Sequence, residues 1–392
     1  FDPSAVKMQE VIVREGKKDD PKMTVLLEEA VNSYTKNYMA GYKALGRELD
    51  ANALRNHFYR FPGVDNSTDK TLSAMLRMAV IAQTQEAFEK APAETDEQRA
   101  AKAAQEGLVK QLFVELKRDF KPSDLPPYTL VKLGMHLANT SQPEESIAYF
   151  DEILDPSEPN PVRKQARING MSKYRKNAVF GKAVALGRSK DNAKVDTAIK
   201  MMRDELSKEE SSSNPDRKAM EDAQYNLVKF TAARQDWPAV IAAAEKYRAD
   251  KSYKKNLPEV LFLQGQAYLK QNEPDKALVC FMNITGADYK GLVKWSAPAM
   301  LAQMDTLWNR NKMSQGTGKQ PSDRYVAWRT GSQYVQLLDT PANRKRMTAE
   351  DSDLLNQVKD KVSRFGSDPA VSQERSDIAA YEAAIRSARG QK

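Results

Sequence analysis

LPEVLFLQGQAYLKQNEPDKALVCFMNI, residues 257–284, reads as two helices back to back that meet at a polar turn. Gly265 carries no side chain, so the second helix can lie close against the first at that point. Ala277 is expected to face it for the same reason, because a larger group would push the pair apart. Tyr268 and Phe281 fill the wider gaps, and Phe281 is expected to reach the next pair of helices. Pro274 suits the first turn of the second helix, where its missing N–H breaks no bond.

The pattern returns upstream. In residues 127–160, Leu130, Leu133, Gly134, Leu137, Ser146 and Phe150 take the corresponding places, and Pro143 stands at the offset of Pro274. The exit is proline-rich, with Pro156, Pro159 and Pro161. A third copy, residues 221–254, opens with Tyr225, Asn226 and Leu227 and turns at Asp236-Trp237. There Val228 replaces the glycine and Thr231 the aromatic, a departure from the close-packed pattern. Between the first and third copies, segments around Ile168–Tyr174 and Val195–Leu206 are expected to form degenerate units.

With Pro258 as the first position of a 34-residue unit, Leu261, Gly265, Tyr268, Ala277 and Phe281 fall on the signature of the tetratricopeptide repeat. The stretch resembles that family, with Leu261 for the usual Trp, Gln264 for the usual Leu and Tyr289 where Pro often sits. Gly134 and Gly265 are 131 residues apart, which is no multiple of the repeat, so the array must contain insertions or shortened turns. The resemblance implies an all-α fold, a tetratricopeptide-like superhelix built as a solenoid of hairpins, with additional N- and C-terminal helices. It also implies a concave groove lined by the first helices, at positions two, five, nine and twelve of each unit. Those positions give Tyr128, Val131 and Met135 in the first copy, Tyr225 and Lys229 in the third, and Phe262, Gln266 and Leu269 in the best. The set is apolar with scattered polar groups and suits an apolar helix or an extended segment, unless some of these side chains pack against the terminal helices instead. The Lys/Asn constellation that clamps a terminal carboxylate in chaperone-binding members is not reproduced at these positions.

Composition agrees with a helical chain. The 392 residues are 41% hydrophobic, too many for a disordered protein. Good helix formers abound and alternating β-branched runs are scarce. The formal charge of +8 arises from 61 basic and 53 acidic residues mixed along the chain, whereas nucleic-acid binders concentrate their excess on one face. No run of 18 apolar residues occurs, so no spanning segment is expected. The chain opens with Phe1, which suggests processing or truncation and leaves open a preceding signal.

Three regions are expected: an N-terminal helical region at 1–124, the repeat array at 125–315 and a C-terminal helical cap at 316–392. In the first, Tyr34, Tyr38 and Tyr42 share one helix face, and Phe58, Tyr59 and Phe61 lead into the turn Pro62-Gly63. Helices are expected from Thr68 or Asp69 to Lys90 and from Thr95 until Lys121-Pro122. The cap holds helices near 322–338, 348–363 and 369–389, which give a solenoid the polar end it needs.

Catalytic chemistry is hard to find. His57 and His136 are the two histidines and Cys280 the one cysteine. Neither a metal set nor a disulfide follows, and Cys280 sits at a packing position. Gly316-Thr317-Gly318-Lys319 lacks the earlier Gly and the Ser or Thr of a phosphate loop. Asn66-Ser67-Thr68 and Asn283-Ile284-Thr285 match glycosylation sequons. The densest basic stretch carries Arg163, Lys164, Arg167, Lys173, Arg175 and Lys176 with no acid, and Arg344, Lys345 and Arg346 form a smaller one. A solvated face is the plainer reading of that stretch and a site for an acidic polymer the sharper one.

The expectation is therefore a non-enzymatic scaffold without cofactor that binds another protein or peptide segment, in a bacterial envelope assembly and so periplasmic or otherwise extracytoplasmic. The alternatives are a basic polyanion binder, or a cytoplasmic or exported accessory subunit of an enzyme or transport system whose N-terminal region carries the site. Nucleic acid is disfavoured as a partner.

Overall fold

The computed structural model describes residues 31, 33–38, 40–41, 44, 70–91, 95–140, 142–286, 293–315, 320–344 and 347–390. Tyr42, His57, the Phe58–Phe61 cluster with its turn, the sequon at Asn66, Gly316–Lys319 and Lys345-Arg346 lie outside the described residues. Among the described residues the chain is all-α, with no strand, and consecutive helices pack against their neighbours. Contacts divide it into two compact units, Phe1–Met201 and Met202–Lys392.

In the first unit, Tyr34 and Tyr38 stack with centroids 5.9 Å apart, and Tyr34 is buried. Helices α1 (Lys70–Lys90) and α2 (Asp96–Asp119) pack on each other. Helix α2 starts where Thr95 predicts it, through a reciprocal capping box. Thr95 Oγ1 accepts from the Gln98 amide at 3.2 Å, and the Gln98 side chain accepts from the Thr95 amide at 3.1 Å. Helices α3 (Pro127–Asn139) and α4 (Pro143–Leu154) form the first hairpin, followed by α5 (Pro161–Gly170) and α6 (Ser172–Gly187). A proline opens each of α3, α4 and α5, where the amide it lacks has no intrahelical acceptor.

The hairpin closes on one ring. Phe150 of α4 is fully buried. A Cβ added at Gly134 of α3 would lie 2.8 Å from its Cε1, and one added at Gly181 of α6 would collide with the same ring. The ring is thus held between two bare stretches of backbone, and α6 packs on both α3 and α4. Gly134 is visible in the sequence pattern; Gly181 is not.

Helix α7 (Asn192–Glu210) contains the division between the units. In the second unit the order is α8 (Arg217–Ala233), α9 (Trp237–Ala249), α10 (Leu257–Lys270), α11 (Pro274–Thr285), α12 (Val293–Arg310) and α13 (Asp323–Leu338). Each packs on the next, and α8, α10 and α12 also touch in succession, so hairpins stack side by side. The single turn α14 (Pro341–Arg344) leads to α15 (Ala349–Gly366) and α16 (Pro369–Gly390).

The same steric relation holds at Gly265. A Cβ there would meet Phe281 Cε1 at 2.5 Å, and the nearest atoms all belong to that ring rather than to Ala277. Both Ala277 and Phe281 are fully buried, in one cluster with Ala299 of α12, so Phe281 does reach the next pair. The third copy keeps the packing by exchange of sizes. Val228 occupies the glycine position and Ala244 the phenylalanine position, and both are fully buried in one cluster. Volume moves from one helix to the other while the pair stays filled.

Polar groups pin the helix ends. Arg310 at the end of α12 donates two parallel bonds to Asp323 at the start of α13, at 2.7 and 2.6 Å, and also pairs with Asp275 of α11. The Lys312 amide adds a bond of 2.9 Å. Burial alone would raise the Asp323 pKa, but Arg310 and that amide outweigh it and hold the carboxyl below its usual range.

Gly265→Ala should cost about 1–3 kcal/mol in urea unfolding and Phe281→Ala about 3–5. Combining Gly265→Ala with Phe281→Leu should cost clearly less than the two single changes summed; simple additivity would mean the ring is not what the methyl meets. The depressed carboxyl of Asp323 contributes stability above its unfolded pKa of about 4 and loses it as pH falls through the folded value. Between about pH 7 and pH 3 the native chain should therefore lose more stability than Asp323→Asn. Identical losses would remove the pair from that role.

Candidate functional site

The face read from the sequence as a groove divides between the two units. In the first, Val131 is buried, while Tyr128 and Met135 are half-buried. All three belong to or pack on the cluster that includes Met78 and Ile81 of α1. Helices α1 and α3 thus share this core, and buried Val131 offers no surface to a partner. Lys132 lies with Nζ 5.6 Å from the Tyr128 ring centroid.

In the second unit Tyr225 and Lys229 of α8 turn toward α10. The Tyr225 hydroxyl donates to Glu259 Oε2 at 2.5 Å, and Lys229 Nζ lies 3.7 Å from Glu259 Oε1. Glu259 therefore ties two successive first helices together. Phe262 is half-buried, its ring centroid 5.9 Å from that of Phe281. One and two turns further, Gln266 and Leu269 are exposed, Leu269 at 37%.

On α12 the corresponding surface is closed. Ser296, Met300 and Gln303 are buried, and Met300 belongs to the cluster formed with Tyr334 of α13 and Leu355, Val358 and Phe365 of α15. Ser296 and Tyr334 share a hydrogen bond of 2.6 Å. Trp295 at the edge of α12 remains half-exposed and packs on the Phe281 cluster. The open first-helix surface of this unit therefore lies mainly on α8 and α10.

A buried polar network beneath this surface was missed by the sequence reading, in which Gln264 simply replaces an apolar residue. Gln264 is fully buried; its Oε1 accepts from Arg248 Nη1 at 2.9 Å and from Cys280 Sγ at 3.7 Å. Its Nε2 donates to the Tyr268 hydroxyl at 3.5 Å, which donates onward to Glu245 at 3.1 Å. A signal was present: a glutamine among apolar residues at a core register position needs partners. Burial pushes the Cys280 thiol up to about 11, so it is a protonated packing group at neutral pH.

The basic stretch does not form one bare face. Lys164 pairs with Asp155 at 2.5 Å. Arg167 pairs with Glu152 at 3.1 Å and donates to the Ser123 carbonyl at 3.1 Å. Lys173 sits 5.0 Å from the Tyr174 ring centroid, and Lys176 also has interactions of its own. Arg163 and Arg175 are exposed on α5 and α6. The acids that neutralise this stretch come from α4 and its exit, outside the basic run itself.

His136 stacks on Phe113 of α2, centroids 4.0 Å apart, and burial together with nearby Lys110 lowers its pKa. Among the described residues no group of three or more His, Cys, Asp or Glu could hold a metal ion. None of their helices is long and apolar enough to cross a membrane. Asn283 of the second sequon is exposed in the last turn of α11. No protein-family model matches the chain, and no curated protein matches it in sequence.

Cys280 should resist a thiol reagent at about pH 8 in the folded chain and react once urea unfolds it. Rapid labelling of the folded chain, at the rate of a free thiol, would contradict both its burial and its raised pKa.

Proposed function

We propose that the chain is a non-enzymatic protein-binding scaffold of the tetratricopeptide-repeat type, and that a segment of another protein docks on the first helices α8 and α10. The observation that carries this reading is the contrast along α10. Gly265, Ala267 and Tyr268 are buried in the hairpin, while Phe262, Gln266 and Leu269 keep accessible surface. Val131 of α3 and Ser296, Met300 and Gln303 of α12, at the corresponding positions, are buried within their own units. Half-exposed aromatic and aliphatic groups on a rigid element supply anchor area with little loss of side-chain freedom on binding.

The signature positions support the family reading through packing. Phe281 on Gly265 and Phe150 on Gly134 repeat one steric relation in two hairpins. The proposed location, periplasmic or otherwise extracytoplasmic, rests on the resemblance to envelope-associated members of the family. The polyanion-binding alternative loses support from the ion pairs that engage Lys164 and Arg167.

Tyr225 is a poor place to test the surface, because its hydroxyl holds Glu259 and its loss would disturb the array itself. Leu269→Glu combined with Gln266→Arg is the cleaner variant. Exposed positions of this kind usually change stability by no more than about 0.5 kcal/mol. The variant should unfold near the native temperature and lose the protein that copurifies with the native chain. Undiminished copurification would move the docking surface elsewhere; loss of the partner on reversing Arg163 and Arg175 would favour the polyanion reading instead.

A further inference from the structure

Helix α16 outruns the helices that hold it. Val371 in its first turn is buried, and the Arg375 guanidinium carbon lies 5.2–5.4 Å away from the Trp328 ring of α13, at 5.3 Å to the centroid. The amide of Ser322, which caps α13, donates to Glu374 at 2.8 Å. From Ser372 to Ala388, by contrast, every residue is half-buried or exposed. At about 100° per residue, Val371, Ile378, Tyr381 and Ile385 share one sector of the helix. A stripe that begins buried at Val371 therefore continues into solvent, where Tyr381 is 42% exposed. Helices draw most of their stability from packing such a face on a neighbour.

The stripe looks onto a cleft. Ile378, Tyr381 and Glu382 line a cavity of about 820 Å³ together with Asp377, Arg329 of α13 and Met313, which is 78% exposed. The cleft thus holds apolar area and charges of both signs, and a partner of one sign alone gains nothing there. Among the described residues no ion pair engages Arg329, Asp377, Glu382 or Arg386. Glu382 and Arg386 stand one turn apart on the same flank of the stripe. Arg386 Nε donates to the main-chain carbonyl of Glu382 at 3.3 Å and not to its carboxylate.

A helix with the same sequence complements this pattern. Laid antiparallel, it sets its Ile385 against Tyr381 and its Arg386 beside Glu382, and two-fold symmetry repeats both contacts. A parallel copy would instead set Asp377 beside Glu382, acid against acid. We propose that α16 pairs antiparallel with α16 of a second copy of this chain, through Ile378, Tyr381 and Ile385 and through Glu382 with Arg386. The contact stands apart from the docking surface on α8 and α10. One exposed helix half buries little area beside a permanent dimer, so the pairing is concentration-dependent.

Sedimentation equilibrium of the full chain tests it. The mass should be 44.0 kDa at about 1 µM and should rise toward twice that value at about 200 µM. Tyr381→Glu with Ile385→Glu should keep the helical circular dichroism and the unfolding temperature, yet stay at the single-chain mass throughout. Glu382→Arg and Arg386→Glu should each weaken self-association by about tenfold, because each sets like charges together. Mixing these two variants should restore it, since every crossed pair is then of opposite sign. A single-chain mass at every concentration overturns the proposal, as does a dimer that survives Tyr381→Glu with Ile385→Glu. Tighter self-association of Glu382→Arg would mean a parallel pair and overturns the orientation. A photoreactive phenylalanine analogue in place of Tyr381 should crosslink two copies of the chain; crosslinking only to a different protein assigns the face to that protein and overturns the self-pairing.

Discussion

The hairpins depend on a ring laid against backbone that has no side chain. Phe150 on Gly134 and Phe281 on Gly265 let two helices approach until the ring fills the whole gap between them. Close-packed interiors make that contact unforgiving in both directions: a methyl on the glycine collides, and a smaller ring substitute leaves a void. Gly181 extends the relation, since it brings α6 onto the other side of Phe150. The hairpin of α8 and α9 reaches a filled pair with the sizes reversed, Val228 opposite Ala244 in register. What is preserved among the hairpins is the summed volume at two facing positions, and the identity of either residue is secondary.

With helix separation set in this way, the remaining question for any surface is which neighbour lies on it. Val131 of α3 is buried in a core that α1 shares, while α13 and α15 pack with Met300 of α12, and Tyr334 of α13 bonds Ser296. In the second unit, Tyr225 and Lys229 of α8 are half-buried, while Gln266 and Leu269 of α10 are exposed. Availability to a partner is thus decided by helices outside the hairpins that supply the surface.

Polar groups define register where apolar packing would tolerate sliding. Gln264, fully buried, is satisfied only if α9, α10 and α11 meet in one alignment, because its partners Arg248, Tyr268 and Cys280 come from all three. Asp323 plays a similar part at the α12–α13 turn, since its oxygens fit the fork of Arg310 and the Lys312 amide together. A half-satisfied network in a low-dielectric interior is costly, so each favours one arrangement over its neighbours.

The sequence by itself determined the all-helical class, the helix starts at Thr95, Pro143 and Pro274, and the glycines at 134 and 265. Those follow from local rules: caps, fixed proline geometry, and the spacing of apolar residues along one chain segment. It placed Ala277 opposite Gly265 because both are small; the tertiary structure adds that the Phe281 ring supplies the atoms nearest Gly265. It could not reveal Gly181, the burial of Val131 in a core shared with α1, or the acids that neutralise Lys164 and Arg167. Each of those is a relation between residues far apart in the chain, and only the packed structure brings the second member into contact with the first.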